Sequence, residues 1–308
     1  MPQQHRQQTP RPEPTARILG VGIATLDIIH QVERYPAEDD EVRALSQRRL
    51  RGGNCANTLA VLSELGHPCR WIGTLADDSG AAFIRQDLSA RGIDLSAAKT
   101  IPNSATPTSY ITLSRATGSR TIVHHRDLPE LTAADFARAD LSTVDWVHFE
   151  GRNPGETARM ISRVATERPD LPISVEIEKP RPGIEALFRL PETTNSLLIV
   201  ARAFAEQQGA HDPKAFLQRF ADQSNASLLL LPWGAVGAYA LTSKRELLFA
   251  PAQPPTEIID TIAAGDVFNA AAIAALLDHQ PIDQVLQTAN ALAGHSCGQL
   301  GIDGAGVG

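Results

Sequence analysis

Cysteine is scarce in this chain: Cys55, Cys69 and Cys297 are three in number and widely spaced. They suggest no disulfide framework and no metal-ligand spacing, and such sparing use fits a reducing cytoplasm. No apolar run approaches the roughly 20 residues that span a bilayer. Positive charge is also outweighed, with 28 Lys and Arg against 35 Asp and Glu, a net charge of −7, and no basic stripe. Neither nucleic acid nor an anionic membrane surface is therefore an expected partner. Two familiar motifs are present only in part. Gly20-x-Gly22 lacks the third glycine and the immediate helix of a dinucleotide fingerprint. His124 and His125 have no carboxylate or cysteine at a spacing useful for a metal. Residues 1–16, rich in Gln, Pro, Arg and Thr, have no apolar block. They read as a loose tail, neither signal peptide nor strand, with order expected from Arg17. The glycine-rich Gly301 to Gly308 is likewise expected to end loosely.

What remains is ordinary for a globular protein, 43% hydrophobic and 20% charged over 308 residues, enough for one large α/β domain or two small ones. Ile18-Leu19-Gly20-Val21-Gly22-Ile23 predicts a buried parallel strand, with Asp27 just past its end, where open α/β sheets hold ligands. A polar segment from Glu33 to Arg51 predicts exposed strands. Thr108 to Leu113 and Thr121 to His124 predict a hairpin turning near Gly118. Together these β pieces, about residues 29–51 and 105–126, suggest a small sheet over the main domain as a lid. Between them, Gly52-Gly53 permits close backbone approach, and Asn54 and Asn57 offer donors and acceptors suited to hydroxyls, before a helix from Leu59 to Leu65. From there strand-like and helix-like runs alternate: Trp71 to Leu75, Ala81 to Ala90, Val144 to Phe149, Glu156 to Thr166, Ile173 to Glu178, Ser196 to Val200, Pro213 to Gln223 and Ser227 to Leu231. That alternation predicts a central, mostly parallel sheet with helices on both faces, a three-layer α/β/α arrangement.

The stretch that carries chemistry is Ile259-Asp260-Thr261-Ile262-Ala263-Ala264-Gly265-Asp266-Val267-Phe268-Asn269, running into an alanine-rich apolar helix. Small residues bend the chain at a helix N-terminus, where backbone N–H groups lack partners and the helix dipole favours negative charge. Asp266 falls in the first turn. A carboxylate beside an anion hole suits phosphoryl transfer to a hydroxyl, since it supplies a base and donors for the transferring group. An isolated Asp before a helix is most often only a cap. Two acids flanking Thr, small residues and Gly form a narrower pattern.

This stretch resembles the Asp-Thr-x-Gly-Ala-Gly-Asp signature of the ribokinase-like sugar kinases, the phosphofructokinase-B family, with Ala263 where the family usually has its first glycine. Within that family the resemblance is to the ketohexokinases. It rests on Arg34-Tyr35-Pro36, Leu45-Ser46-Gln47-Arg48, Arg51-Gly52-Gly53-Asn54-x-x-Asn57, Gly118-x-Arg120-Thr121-Ile122-Val123, Phe149-Glu150-Gly151-Arg152-Asn153, Val175-Glu176-x-Glu178-Lys179-Pro180-Arg181 and Cys297-Gly298-x-x-Gly301. The likeness thins from about Arg189 to Ala226.

The resemblance implies a ribokinase-like fold with a β lid and ATP-dependent phosphorylation of a ketohexose, fructose giving fructose 1-phosphate. It implies Asp266 as general base, with Ala263, Ala264 and Gly265 forming the anion hole and Arg120 approaching the transferring phosphate. Asp27, Gly53, Asn54 and Asn57 would hold the sugar. Asp39 would reach a neighbouring subunit's sugar, which implies a homodimer through the lid. Arg202, standing where the family has a lysine, would line the nucleotide pocket with Trp233, Gly234, Gly237, Pro254 and Cys297. Mg²⁺ would bridge the phosphates, with Glu176 as the candidate to hold it, and K⁺ is a further candidate ion. Other acceptors stay open, including ribose and ketose derivatives of the sulfofructose or ketodeoxygluconate type, as does a sugar-binding regulator without turnover.

Overall fold

The computed structural model describes residues 17–191 and 195–306. The expected tail at 1–16 and the last two glycine-stretch residues lie outside the described residues. In chain order the strands are β1 (Ile18–Val21), β2 (Thr25–Val32), β3 (Ser46–Gly52), β4 (Cys69–Ile72), β5 (Thr74–Leu75), β6 (Lys99–Thr100), β7 (Thr108–Ser114), β8 (Arg120–His125), β9 (Trp146–Glu150), β10 (Ile173–Ile177), β11 (Ser196–Val200), β12 (Leu228–Pro232), β13 (Gly237–Thr242) and β14 (Leu247–Pro251). The helices are α1 (Asn54–Glu64), α2 (Ser79–Ala90), α3 (Ala133–Phe136), α4 (Pro154–Glu167), α5 (Arg202–Gln207), α6 (Pro213–Phe220), α7 (Ala264–Leu277) and α8 (Ile282–Ser296). None of them is long and apolar enough to cross a membrane.

Eight strands form one sheet in the order β14-β13-β12-β11-β10-β9-β1-β4. It is parallel from β4 to β12 and closes with the antiparallel β13 and β14. Its strands are apolar on both faces, because helices cover both. Along β11, Leu197 and Ile199 join a cluster with α1, α2, α7 and α8, while Leu198 and Val200 join one with α3 to α6. Strand β12 divides in the same way, with Leu228 and Leu230 on one side and Leu229 and Leu231 on the other. This period of two splits each strand between two cores and gives the three layers. Helix α7 is apolar nearly all round and buries Val267, Phe268, Ala270, Ala271, Ala272 and Ile273, as a helix enclosed on every side requires.

The second sheet has the order β3-β2-β7-β8, with β2 and β7 parallel and both outer pairs antiparallel. Ile29 and Ile111 are cross-strand partners and both buried. Helix α2 packs beneath this sheet, and the Arg49 guanidinium lies over the Phe83 ring at 5.5 Å. The buried apolar residues of its strands, Leu26, Ile29, Val32 and Ile111, belong to neither core cluster of the large sheet.

Four sequence expectations need correction. The small sheet begins at Thr25, so Asp27 sits on β2 rather than in a loop beyond β1. Residues 33–45 form no strand: Pro36 lacks a ladder donor, the run Glu38 to Glu41 is exposed, and Asp39 has a φ of 64°. Helix α1 starts at Asn54, so Asn54 and Asn57 lie within the helix and not before it. Gly301 to Gly306 is not loose. Ile302 and Ala305 are buried, and the Gly304 and Gly306 N–H groups donate to Glu64 Oε2 at 3.1 and 3.4 Å.

Candidate active site

The bend before α7 forms as its small residues suggest. Asp260 Oδ1 accepts from Ile262 N at 2.9 Å, and Ala263 then turns at φ 63° and ψ 9°, the left-handed region, as the residue capping α7. The first α-helical bond runs from Val267 N to Ala263 O at 3.0 Å, and Ala264 N meets Thr261 O only at 3.5 Å. Among the described residues, the N–H groups of Gly265 and Asp266 have no backbone partner. A cluster of free donors thus stands at the positive end of a 14-residue helix.

Asp266 occupies the first turn and is buried. Asn57 Nδ2 donates to its Oδ2 at 2.7 Å, and Thr58 Oγ1 donates to its backbone oxygen at 3.4 Å. Burial pushes the Asp266 carboxyl well above the ordinary carboxylate range. The Asn57 hydrogen bond opposes that rise, Glu150 and Glu178 reinforce it, and Arg51 opposes it. Two further buried carboxylates end neighbouring strands. Glu150, on β9, accepts from Ile23 N at 3.0 Å and Cys55 N at 3.4 Å. Glu176, on β10, accepts from Asn54 Nδ2 at 3.1 Å, while its Oε2 is buried without a hydrogen-bond partner. Burial, then Asp266 and Glu150, raise Glu176 strongly.

The small sheet brings Asp27 to a cavity of about 200 Å³, which Asn57, the donor to Asp266, lines together with Asp260 and Ala263. Asp27 is half-buried and accepts from Thr25 Oγ1 at 3.0 Å. Burial raises its carboxyl, with hydrogen bonds from Ser109 and Thr25 in opposition. The glycine pair is needed for proximity. A Cβ on Gly52 would lie 2.2 Å from Asp27 Oδ2, and one on Gly53, at φ 100°, would lie 2.3 Å from Ile23 O.

The remaining predicted residues fall in three places. Arg120, at the start of β8, donates to Thr261 Oγ1 at 3.1 Å, which ties the small sheet to the bend. Arg202 opens α5, pairs with Glu206 at 2.7 Å and lies over the Trp233 ring at 5.3 Å. Gly234 and Gly237 make the turn after Trp233, with Trp233 N donating to Gly237 O at 2.7 Å and Ala252 N to Val236 O at 3.2 Å. Pro254 follows along α8, where a Cβ on Gly294 would meet Gln253 O at 1.8 Å. Cys297 ends α8 and is half-buried, and its carbonyl accepts from Ile259 and Asp260. Asp39 is exposed and joins none of these groups within the chain.

Arg51 and Glu150 were visible in the sequence but given no role there. Glu150 carried a usable signal, since it is an acid at the carboxyl end of a parallel strand, the same argument that singled out Asp27. Arg51 carried none, because its importance depends on which residues β3 sets it between. Among the described residues no group of three His, Cys, Asp or Glu could hold a metal unaided. The open Glu176 oxygen nevertheless fits Mg²⁺, a hard ion that usually takes one or two carboxylates and completes its shell with phosphates and water.

The model of the pfkB family of carbohydrate kinases matches residues 15–304. The chain is 37% identical to mouse (Mus musculus) ketohexokinase over 295 residues, covering 94% of this chain and 98% of that protein. It is 24% identical to the ribokinase of Bacillus subtilis (strain 168) over 292 residues, covering 92% of this chain and 94% of the other. Arabidopsis thaliana ribokinase, solved with ribose and ATP, superposes with a TM-score of 0.75 at 19% identity over 93% of this chain and 94% of that one.

Proposed function

The chain belongs to the pfkB family of carbohydrate kinases and is an ATP-dependent sugar kinase, and from that premise we propose that it phosphorylates a ketohexose, D-fructose at its 1-hydroxyl. The observation that carries this reading is the buried Asp266 carboxylate, set beside unpartnered amides and tied through Asn57 to a cavity that Asp27 also lines. Similarity to mouse ketohexokinase supports the choice of sugar.

In this mechanism Asp27, Asn54 and the Gly53 backbone hold the sugar hydroxyls. Asp266 takes the proton of the attacking hydroxyl, a role for which a carboxyl raised by burial is suited. The amides at Ala264, Gly265 and Asp266 face the charge that develops on the transferring phosphoryl group, and Arg120 approaches it from the small sheet. Arg202, Trp233, Gly234, Gly237, Pro254 and Cys297 line the nucleotide side. Glu176 would hold Mg²⁺, which supplies charge neutralisation between the phosphates. The small sheet acts as the lid and as a dimer surface, since the cross-strand pair Tyr110 and Val123 is 50% and 65% exposed.

The test is to mix purified protein, Mg-ATP and D-fructose and to follow ADP and fructose 1-phosphate. Asp266→Asn should lower kcat by about 10²–10⁴-fold. Unchanged turnover in that variant would remove Asp266 from the reaction. Ranking D-fructose, ribose and other ketoses by kcat/KM tests the choice of acceptor.

A further inference from the structure

We propose that Arg51 is a positioning residue for phosphoryl transfer: it fixes the Asn57 amide in the one orientation that aims an N–H at the Asp266 carboxylate. The proposal rests on the reading of Asp266 as general base. Its geometry is a chain of three buried side chains. Arg51 Nη1 donates to Asn57 Oδ1 at 2.5 Å, and Asn57 Nδ2 donates to Asp266 Oδ2 at 2.7 Å. An asparagine amide can be turned end for end without changing its shape, so its orientation is decided by its partners. A guanidinium has donors only, and an ionised carboxylate has acceptors only. Only one orientation satisfies both neighbours, and the alternative would set donor against donor and acceptor against acceptor.

Arg51 can hold the amide because it is itself held. Its side chain is 2% exposed, and its Nε donates to Asp87 Oδ2 at 2.6 Å. Asp87 also accepts from Arg91 Nε at 3.2 Å, and Arg91 pairs with Glu64 at 2.8 Å and with Asp303. The anchor therefore joins α2, α1 and the C-terminal segment to β3, and from β3 reaches the first turn of α7. The next residue, Gly52, lies against the Asp27 carboxylate. The end of β3 thus serves both Asp27 and Asp266. Asn57, expected from sequence to bind sugar, has its carbonyl oxygen engaged by Arg51 and one N–H committed to Asp266.

Lysine at this position keeps the charge and an anchor to Asp87, but its single nitrogen cannot reproduce the fork that reaches both Asp87 and Asn57. The experiment is a cycle of Arg51→Lys, Asp266→Asn and the double variant, assayed in the full chain with Mg-ATP and whichever sugar of the acceptor panel turns over fastest. Asp87→Asn, at a partly exposed side chain, serves as the second variant should Arg51→Lys fold poorly. Arg51→Lys should lower kcat by about tenfold, with the KM for ATP within about twofold. Asp87→Asn should lower kcat by a smaller factor. In the Asp266→Asn background either change should alter the residual rate by less than about twofold, because the group being positioned is gone. Equal fold losses in both backgrounds would mean that Arg51 only supports the fold, and the positioning role would be overturned. Should Asp266→Asn alone keep full kcat, the base assignment fails instead, and the positioning role falls with it.

Discussion

Ala263→Gly is the most direct probe of the bend. Ala263 is held at φ 63° and ψ 9°, where the methyl group crowds the following carbonyl. That conformation costs an alanine about 1–2 kcal/mol. Glycine removes this cost but also frees the unfolded chain, which takes back about 0.4–1 kcal/mol. The net expectation is a gain of about 0.5–1 kcal/mol, or about 1–2 °C in Tm for a chain of this size. The bend is also held by the Asp260 carboxylate on Ile262 N and by Arg120 on Thr261, so glycine should not loosen it. kcat should accordingly stay within about twofold of the parent or rise. Ala263→Val, a β-branched residue at positive φ, should instead lose about 1–3 kcal/mol and turnover with it. Tm by calorimetry and kcat by a coupled ADP assay read both variants. A lower Tm for the glycine variant, or a valine variant as stable as the parent, would refute the strain argument.

Three further outcomes are expected. His148 is fully buried, and burial lowers its pKa from the ordinary 6.5 to about 4. The unfolded chain therefore takes up a proton between these values that the folded ring refuses, and stability falls as pH drops through that window. At about 1.36 kcal/mol per pH unit, the ring accounts for about 3 kcal/mol of acid lability, and His148→Asn should flatten the Tm-against-pH curve there by one proton. Glu176 has the opposite sign. Its raised carboxyl contributes stability below the ordinary 4.5 that is lost as pH rises, so Glu176→Gln should raise Tm, with a gain that grows from about pH 5 toward 8. A gain that shrinks with pH would contradict that sign. Arg202→Lys should forfeit the stacking over Trp233 and raise the KM for ATP by about 2–5-fold with kcat unchanged. A fall in kcat alone would place Arg202 elsewhere in the reaction.

The parallel core strands were legible because their apolar runs are short, those of β1, β4 and β9 being closed by Gly22, Gly73 and Gly151, and the N-terminus of α7 because its bend is made of small residues. Asp266 was found from its place in that first turn. The start of α1 was not, because Gly53 at φ 100° caps the helix without a side chain and leaves no Ser, Thr or Asp to mark the boundary. Strand β2 was missed at its start because Ala24-Thr25-Leu26-Asp27 looks like a loop once its pairing with β7 and β3 is unknown. The antiparallel edge formed by β13 and β14 and the helix α8 drew no prediction. The link from Arg51 to Asp266 spans 215 positions and exists only when β3, α1 and α7 meet, so no local pattern could announce it.

The sheet bearing Asp27 keeps its buried apolar residues apart from both cores of the body that bears Asp266. Two charged side chains cross that divide instead: Arg51 on β3 reaches Asn57 and Asp87, and Arg120 on β8 reaches Thr261. A change in how the small sheet sits is therefore felt at the first turn of α7 without any repacking of either core.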